Sequence, residues 1–256
     1  MEYKKLNLKV PIENNNYYDL SCMVINNIDK IFKSAIRNNK NKIIINTNLK
    51  SGIPMENVNK IAGPFIEAWA LETFINDFEK KSNNNFFKNI EAGQRLNMAD
   101  IILDFKSKNN SKIIKANVDV KATSNDIKNS GKSPNITSFS RIRSEYIKDP
   151  NYIFIILSIK HKVYSKKDEK NSMMMGVMEI MDFKSYDLKY ISKKDLGYNP
   201  ALGTGQIQLR DIHNVSLEKR TTKEFCELLD IKFLSSKKGF SEFYKYALQN
   251  KWLINE

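Results

Sequence analysis

The stretch Met98-Ala-Asp-Ile-Ile-Leu-Asp-Phe105, continued by Ile113-Ile-Lys-Ala-Asn-Val-Asp-Val-Lys121, decides the fold of this chain. Both segments are rich in aliphatic residues that favour strands, and the polar Ser107-Lys-Asn-Asn-Ser111 between them is typical of a turn. We therefore predict a β-hairpin over about residues 96–122.

Three charged residues of this hairpin form a candidate catalytic site. Asp119 and Lys121 are two apart on a strand and should share one face, and Asp100 begins the neighbouring strand. Two carboxylates can hold a hard divalent cation such as Mg²⁺, and the lysine could orient the water that attacks a phosphodiester. Because Asp/Glu-x-Lys arises by chance in so lysine-rich a chain, a surface ion pair remains an open alternative.

A helix or helix pair is predicted upstream, over residues 55–81, because apolar side chains recur there at helical spacing. Gly63-Pro64 indicates a break or a new first turn. Glu67 lies among apolar residues, where an ionised side chain needs a partner, and a metal or Lys121 could serve. A solvated Glu67 is the alternative, and Glu72 is a rival for its role.

A polar, basic segment follows the hairpin at residues 124–143, and its donors suit a loop that enters a DNA groove. Asn can bind adenine edges, and Lys, Ser and Arg can contact guanine or phosphate. A solvated linker is the alternative reading. The candidate DNA contacts in this segment are Ser130, Lys132, Ser133, Asn135, Ser138 and Arg141.

The remaining pattern predicts one α/β domain over residues 1–256, in which a central mixed sheet is flanked by helices. The Tyr152–Leu157 run indicates a central strand buried on both faces. Thr221 and Glu224 form a capping-box signature for a helix through Leu229. Other predicted elements are a helix at Phe139–Lys148, strands at Met173–Phe183 and Gln206–Arg210, and a last helix from Ser241 to about Trp252.

Composition indicates the class of partner. A net charge of +13 favours a polyanion, with nucleic acid first and an anionic membrane surface second. The cysteines, Cys22 and Cys226, and the two histidines are too few for a cysteine or histidine metal cluster, so oxygen must hold any metal. With no apolar run long enough for a membrane span or signal peptide, we expect a soluble, cytoplasmic protein.

The charged residues of the hairpin also carry a family resemblance. Asn97-Met-Ala-Asp100, followed by Val118-Asp-Val-Lys121, resembles the PD-(D/E)xK pattern of type II restriction endonucleases, with Ala99 where the motif has proline. The chain is similar to the HpaI family of these enzymes over nearly its whole length, and more distantly to the HincII and EcoRV families. The further segments that carry this likeness are residues 46–50, 60–64, 118–126, 130–143, 152–161 and 199–208.

The resemblance implies a restriction-endonuclease-like fold and a homodimer that cuts the palindrome GTTAAC at its centre with Mg²⁺. It implies that Asp100 and Asp119 ligate the metal and that Lys121 orients the water that attacks phosphorus. It also implies that Glu67 corresponds to a glutamate that these enzymes carry on a helix. It also implies base contacts from 130–135, with Lys132 in place of an intercalating glutamine. Further DNA contacts would come from Tyr198, Asn199 and Gln206.

Restriction enzymes of this kind also act beside a DNA methyltransferase for the same site, so the resemblance implies such a partner. Two other functions remain open at this point. One is a non-catalytic, sequence-specific DNA-binding protein, and the other is a repair or recombination nuclease that reads DNA shape.

Overall fold

A computed structural model describes residues 3–80, 86–94, 97–106, 112–170, 172–201, 203 and 205–254. The chain divides into two compact units. The terminal unit holds Met1–Ser21, Lys132–Phe154 and Asp187–Glu256, and the central unit holds Cys22–Gly131 and Ile155–Tyr186. Within the described ranges, no helix is long and apolar enough to cross a membrane.

The elements follow one another as an α/β succession. The helices are α1 (Tyr17–Arg37), α2 (Met55–Lys60), α3 (Ala62–Lys80), α4 (Phe139–Lys148), α5 (Thr222–Leu234) and α6 (Gly239–Gln249). The strands are β1 (Lys42–Ile45), β2 (Phe87–Ala92), β3 (Ile101–Lys106), β4 (Ile113–Ser124), β5 (Asn135–Ser138), β6 (Ile153–Lys167), β7 (Met174–Asp187), β8 (Leu196–Asn199) and β9 (Gln206–Leu209).

A large mixed sheet flanked by helices, in the order β1-β7-β6-β4-β3-β2, confirms the predicted fold class. The predicted hairpin is confirmed as the antiparallel pair β3–β4, in which Ile101 lies opposite Val118. The turn expected at 107–111 lies outside the described residues. Residues 155–159 of β6 are wholly buried, as expected of a central strand between β7 and β4.

Helix α3 packs on β4 and β2 and thereby fixes the position of its own side chains against the hairpin. Its buried residues recur at helical spacing, and Phe74 also contacts Phe32 of α1. The break predicted at Gly63-Pro64 falls earlier, at Ile61, and Pro64 lies in the first turn of α3. Proline is tolerated there because a first-turn N–H has no partner within the helix.

The terminal unit contains a second sheet, in the order β5-β9-β8. The strand predicted at Gln206–Arg210 is confirmed as β9, but the sequence predicted neither its partners β5 and β8 nor the sheet. Helix α4 has its predicted bounds, and the capping box of Thr221 and Glu224 is present at α5. Three predicted bounds were wrong: β7 extends to Asp187, α5 extends to Leu234, and α6 spans Gly239–Gln249. The local pattern marks each of these elements but not its ends, and α6 stops at Gln249, before the predicted Trp252.

Candidate functional site

Strand β4 places the Asp119 carboxylate and the Lys121 ammonium side by side. Lys121 Nζ donates to Asp119 Oδ1 at 2.7 Å, which confirms that the two side chains share one strand face. The Asp119 side chain is 5% exposed and that of Lys121 is 25% exposed. The carboxylate is therefore buried beneath an ammonium group that solvent still reaches.

Asp100 reaches the same part of β4 from the residue that precedes β3. Its backbone N–H donates to Val118 O at 2.9 Å, which continues the hairpin ladder. Its carboxylate accepts from Val120 N at 2.7 Å, so the side chain lies against the backbone between Asp119 and Lys121. The hairpin thus brings together the three residues that the sequence analysis selected.

Glu67 joins this group from α3. The side chain is half-buried, and burial raises its pKa, to which the nearby negative charge of Asp100 adds while Lys121 opposes the shift. Glu67 therefore lies within electrostatic reach of both hairpin residues. The rival Glu72 is exposed and lines a groove elsewhere in the central unit, beside Lys42 and Trp69.

We call these four residues, Glu67, Asp100, Asp119 and Lys121, the acidic cluster. Among its carboxyl groups, that of Asp119 has a strongly raised pKa. Burial raises the pKa of its carboxyl to about 7, although the charge and hydrogen bond of Lys121 oppose that shift. Asp100 and Glu67 raise the pKa further. Within the described part of the chain, Asp119 Oδ2 is buried and has no hydrogen-bond partner.

The acidic cluster fits a divalent cation held by few protein ligands. A buried carboxylate oxygen with no partner is costly unless a cation or donor satisfies it. Over the described ranges, no three Asp, Glu, His or Cys side chains meet closely enough to hold an ion by themselves. Two carboxylates with water suit Mg²⁺, which keeps several waters in its shell.

The second group of predicted residues lies on the β5-β9-β8 sheet. Asn135 of β5 lies opposite Gln208 of β9, while Gln206 of β9 lies opposite both Ser138 and Asn199. Residues that lie opposite each other in an antiparallel pair project to the same face. We call this set the amide face (Asn135, Ser138, Asn199, Gln206 and Gln208).

The amide face is accessible to a ligand, since Asn135 is exposed and both glutamines are partly exposed. The alternate positions of β9, Ile207 and Leu209, are buried. The DNA-binding loop predicted over 124–143 needs one correction, because residues 135–138 form a strand. Arg141 is an exposed residue of α4, in agreement with the helix predicted at Phe139–Lys148.

Tyr198 does not join the amide face. Its ring packs against Phe139 and Phe233, with ring centroids 5.8 and 5.2 Å away, in the core of the terminal unit. It lies opposite the buried Ile207 and so points away from Asn199. Packing explains this residue without a ligand.

Lys132 and Ser133 lead into the amide face. Lys132 Nζ lies 2.5 Å from Asp211 Oδ2, and the two residues also form an isolated backbone bridge. Hydrogen bonds from Asn214 and Lys132 hold the pKa of Asp211 at about 2, although burial acts in the opposite direction. Ser133 adopts a left-handed backbone, with φ of 49°, and its N–H donates to Arg210 O.

Ser130, the remaining predicted DNA contact, lies in the central unit, where its Oγ accepts a hydrogen bond from Ser124 N at 2.8 Å. It thereby ties the segment to the end of β4. Two residues at these sites were not selected from the sequence: Gln208 and Asp211. Only Gln208 had a visible signal, the alternation of Gln206, Ile207 and Gln208.

Two comparisons with known proteins point to the same family. The family model described as type II restriction endonuclease HpaI matches residues 4–251 of the chain. The type II restriction enzyme HpaI of Haemophilus parainfluenzae is 57% identical over 254 residues, which cover 99% of this chain and 99% of that enzyme.

Proposed function

The chain belongs to the HpaI family of type II restriction endonucleases, which are site-specific deoxyribonucleases, and we propose that it cuts double-stranded DNA at GTTAAC. The cut would fall at the centre of this palindrome and leave blunt ends. The observation that carries the mechanism is the acidic cluster, in which Asp119 has a buried, unpartnered Oδ2 beside the Lys121 ammonium.

Asp100 and Asp119 would hold Mg²⁺, which supplies positive charge to the scissile phosphate when bound. Lys121 Nζ, which lies 2.7 Å from Asp119 Oδ1, would direct a donor N–H toward the attacking water and hold it in line with phosphorus. Glu67 would add negative charge that favours retention of the cation. Burial of Asp119 keeps competing water away from one carboxylate oxygen.

Sequence recognition would come from the amide face, together with Lys132, Ser133 and Arg141. Asn and Gln side chains present both a donor and an acceptor, and these can read base edges in the major groove. Lys132 and Arg141 supply positive charge that suits phosphate. Ser130 would hold the segment to β4 as well as contact DNA. Tyr198 would support β8, the strand that carries Asn199, by packing in the core.

We propose that two copies of the chain act together, with the two units of each copy forming one functional endonuclease domain. A palindrome presents two equal half-sites, and a two-fold dimer matches them with two active sites. The host would need a methyltransferase that modifies the same sequence, because an unprotected genome would be cut.

The test uses a plasmid that carries a single GTTAAC, with and without Mg²⁺, followed by run-off sequencing of the products. Linear DNA with blunt ends at the centre of GTTAAC, formed only with the cation, supports the proposal. A different sequence at the ends would refute the proposed target and report the true one. Analytical ultracentrifugation of the protein on a duplex that contains GTTAAC tests the dimer.

A further inference from the structure

The hydrogen bonds of the amide face determine which way each amide group points. Gln208 Nε2 donates to the carbonyl of Ser133 at 3.1 Å, and a carbonyl can only accept. The orientation of the Gln208 amide is therefore fixed by the backbone. Asn199 Oδ1 likewise accepts from the backbone N–H of Ala201 at 3.0 Å, which fixes the second amide.

These two anchored amides together orient Asn135. Gln208 Nε2 also donates to Asn135 Oδ1 at 3.0 Å, and Asn199 Nδ2 donates to the same oxygen at 3.4 Å. Since both neighbours present donors, the Asn135 oxygen must face them and its NH₂ group must face away. Asn135 is exposed, so this NH₂ group is available to a ligand.

The arrangement changes what Asn135 can read. An asparagine that binds adenine alone uses its oxygen and its nitrogen together. Here the oxygen is engaged by two donors, which leaves only the donor side of Asn135. Across the described residues, no hydrogen bond engages Asn135 Nδ2 or Gln208 Oε1. The outward donor and the outward acceptor therefore come from two different side chains.

We propose that Gln208 is a specificity-determining residue that fixes the Asn135 amide and shares one adenine with it. Asn135 Nδ2 would donate to N7 of the base, and Gln208 Oε1 would accept from its N6 amino group. This pattern matches adenine and opposes guanine, which presents two acceptors there. The inference rests on the proposed function, since it assumes that the amide face meets the DNA major groove.

The test compares Gln208→Met, which keeps the length of the side chain without its amide, with Gln208→Ala and the wild type. The kcat/KM for GTTAAC is measured against duplexes in which one symmetric pair of positions is changed at a time. We expect both variants to lose roughly tenfold or more of the discrimination at one A·T position while the other positions keep theirs. Gln249→Ala, an exposed glutamine of α6, is the matched control.

Coupling with Asn135 separates orientation from a general loss of structure. Because Gln208 acts in part through Asn135, the loss of discrimination in the Gln208→Met, Asn135→Ala double variant should be smaller than the sum of the two single losses. Additive losses, equal losses at every position, or unchanged discrimination would each overturn the inference. A wild type that cuts only at another sequence would refute the proposed target instead, and the same variants would then be measured on that sequence.

Discussion

Arg143 and Asp230 form a buried two-pronged ion pair, in which Nε and Nη2 donate to the two carboxylate oxygens at 2.6 and 2.9 Å. Both side chains are almost fully buried, and the guanidinium also lies 4.2 Å from the centre of the Trp252 ring. The pair joins α4 to α5. Arg143 is therefore part of the core of the terminal unit, whereas the nearby Arg141 is exposed.

Arg143→Met should lower the free energy of unfolding by about 3–5 kcal/mol, because it leaves the Asp230 carboxylate buried without its cation. Unfolding by urea, followed by tryptophan fluorescence, measures the change. Arg141→Met is the matched control and should stay within about 0.5 kcal/mol of the wild type. Equal stability of the two variants would contradict the assignment of Arg143 to the core.

Asp119→Asn should remove cleavage and yet leave the metal-free protein at least as stable. The variant loses a buried carboxylate that the acidic cluster needs for a cation, so we expect the rate at saturating Mg²⁺ to fall by about 10²-fold or more. Burial of the charged carboxylate is costly, so its loss should stabilise the fold by about 1 kcal/mol.

Single-turnover cleavage and urea unfolding, each measured on the same Asp119→Asn preparation, check the two parts. Asp182→Asn makes the same change at an exposed position of β7 and should alter neither quantity. Near-normal cleavage by Asp119→Asn would refute the proposed role of the carboxylate. A marked loss of stability would instead show that Asp119 is chiefly a structural partner of Lys121.

The parts of the fold that the sequence predicted are those set by local pattern. The β3–β4 hairpin, the exact bounds of α4 and the buried β6 each follow from apolar spacing within one segment. The acidic cluster followed for the same reason, since Asp119 and Lys121 are two residues apart on one strand. The place of Glu67 in the acidic cluster depends on the packing of α3 on β4. Apolar spacing in the sequence predicted the helix but not the strand on which it packs.

The second sheet escaped prediction because its strands are short and distant in sequence. Asn135 pairs with Gln208, 73 residues away, and each of the three strands has only four residues. The alternation at residues 206–208 marks β9 as a strand, but no local period marks β5 as its partner. The same limit applies to Asp211, which is 79 residues from Lys132 along the chain, beyond β5 to β9.

Asp211→Asn should strengthen binding to random-sequence DNA. In the free protein the carboxylate of Asp211 neutralises the Lys132 ammonium at 2.5 Å, and the substitution releases that charge. If Lys132 contacts phosphate, the slope of log affinity against log salt should steepen by about one. Fluorescence anisotropy over a range of salt concentrations, without divalent cations, measures this slope.

Net charge alone also strengthens DNA binding, and the control for the Asp211 variant must remove that effect. Asp19→Asn makes the same change at an exposed residue of α1 in the terminal unit. Asp211→Asn should exceed Asp19→Asn in both affinity and slope. If the two variants bind alike, the ion pair does not restrain Lys132 and the proposed contact with phosphate loses its support.

The two thiols should differ sharply in reactivity. Cys226 is buried in α5, and burial raises the pKa of its thiol to about 12, so the reactive thiolate is scarce at about pH 8. Cys22 on α1 is partly exposed. With Ellman's reagent, we expect one thiol to react in the native protein and the second only after unfolding in concentrated guanidinium chloride. A Cys22→Ser variant should then show no fast reaction, and fast labelling of Cys226 in that folded variant would mean that α5 opens readily from α4 and the rest of the terminal unit.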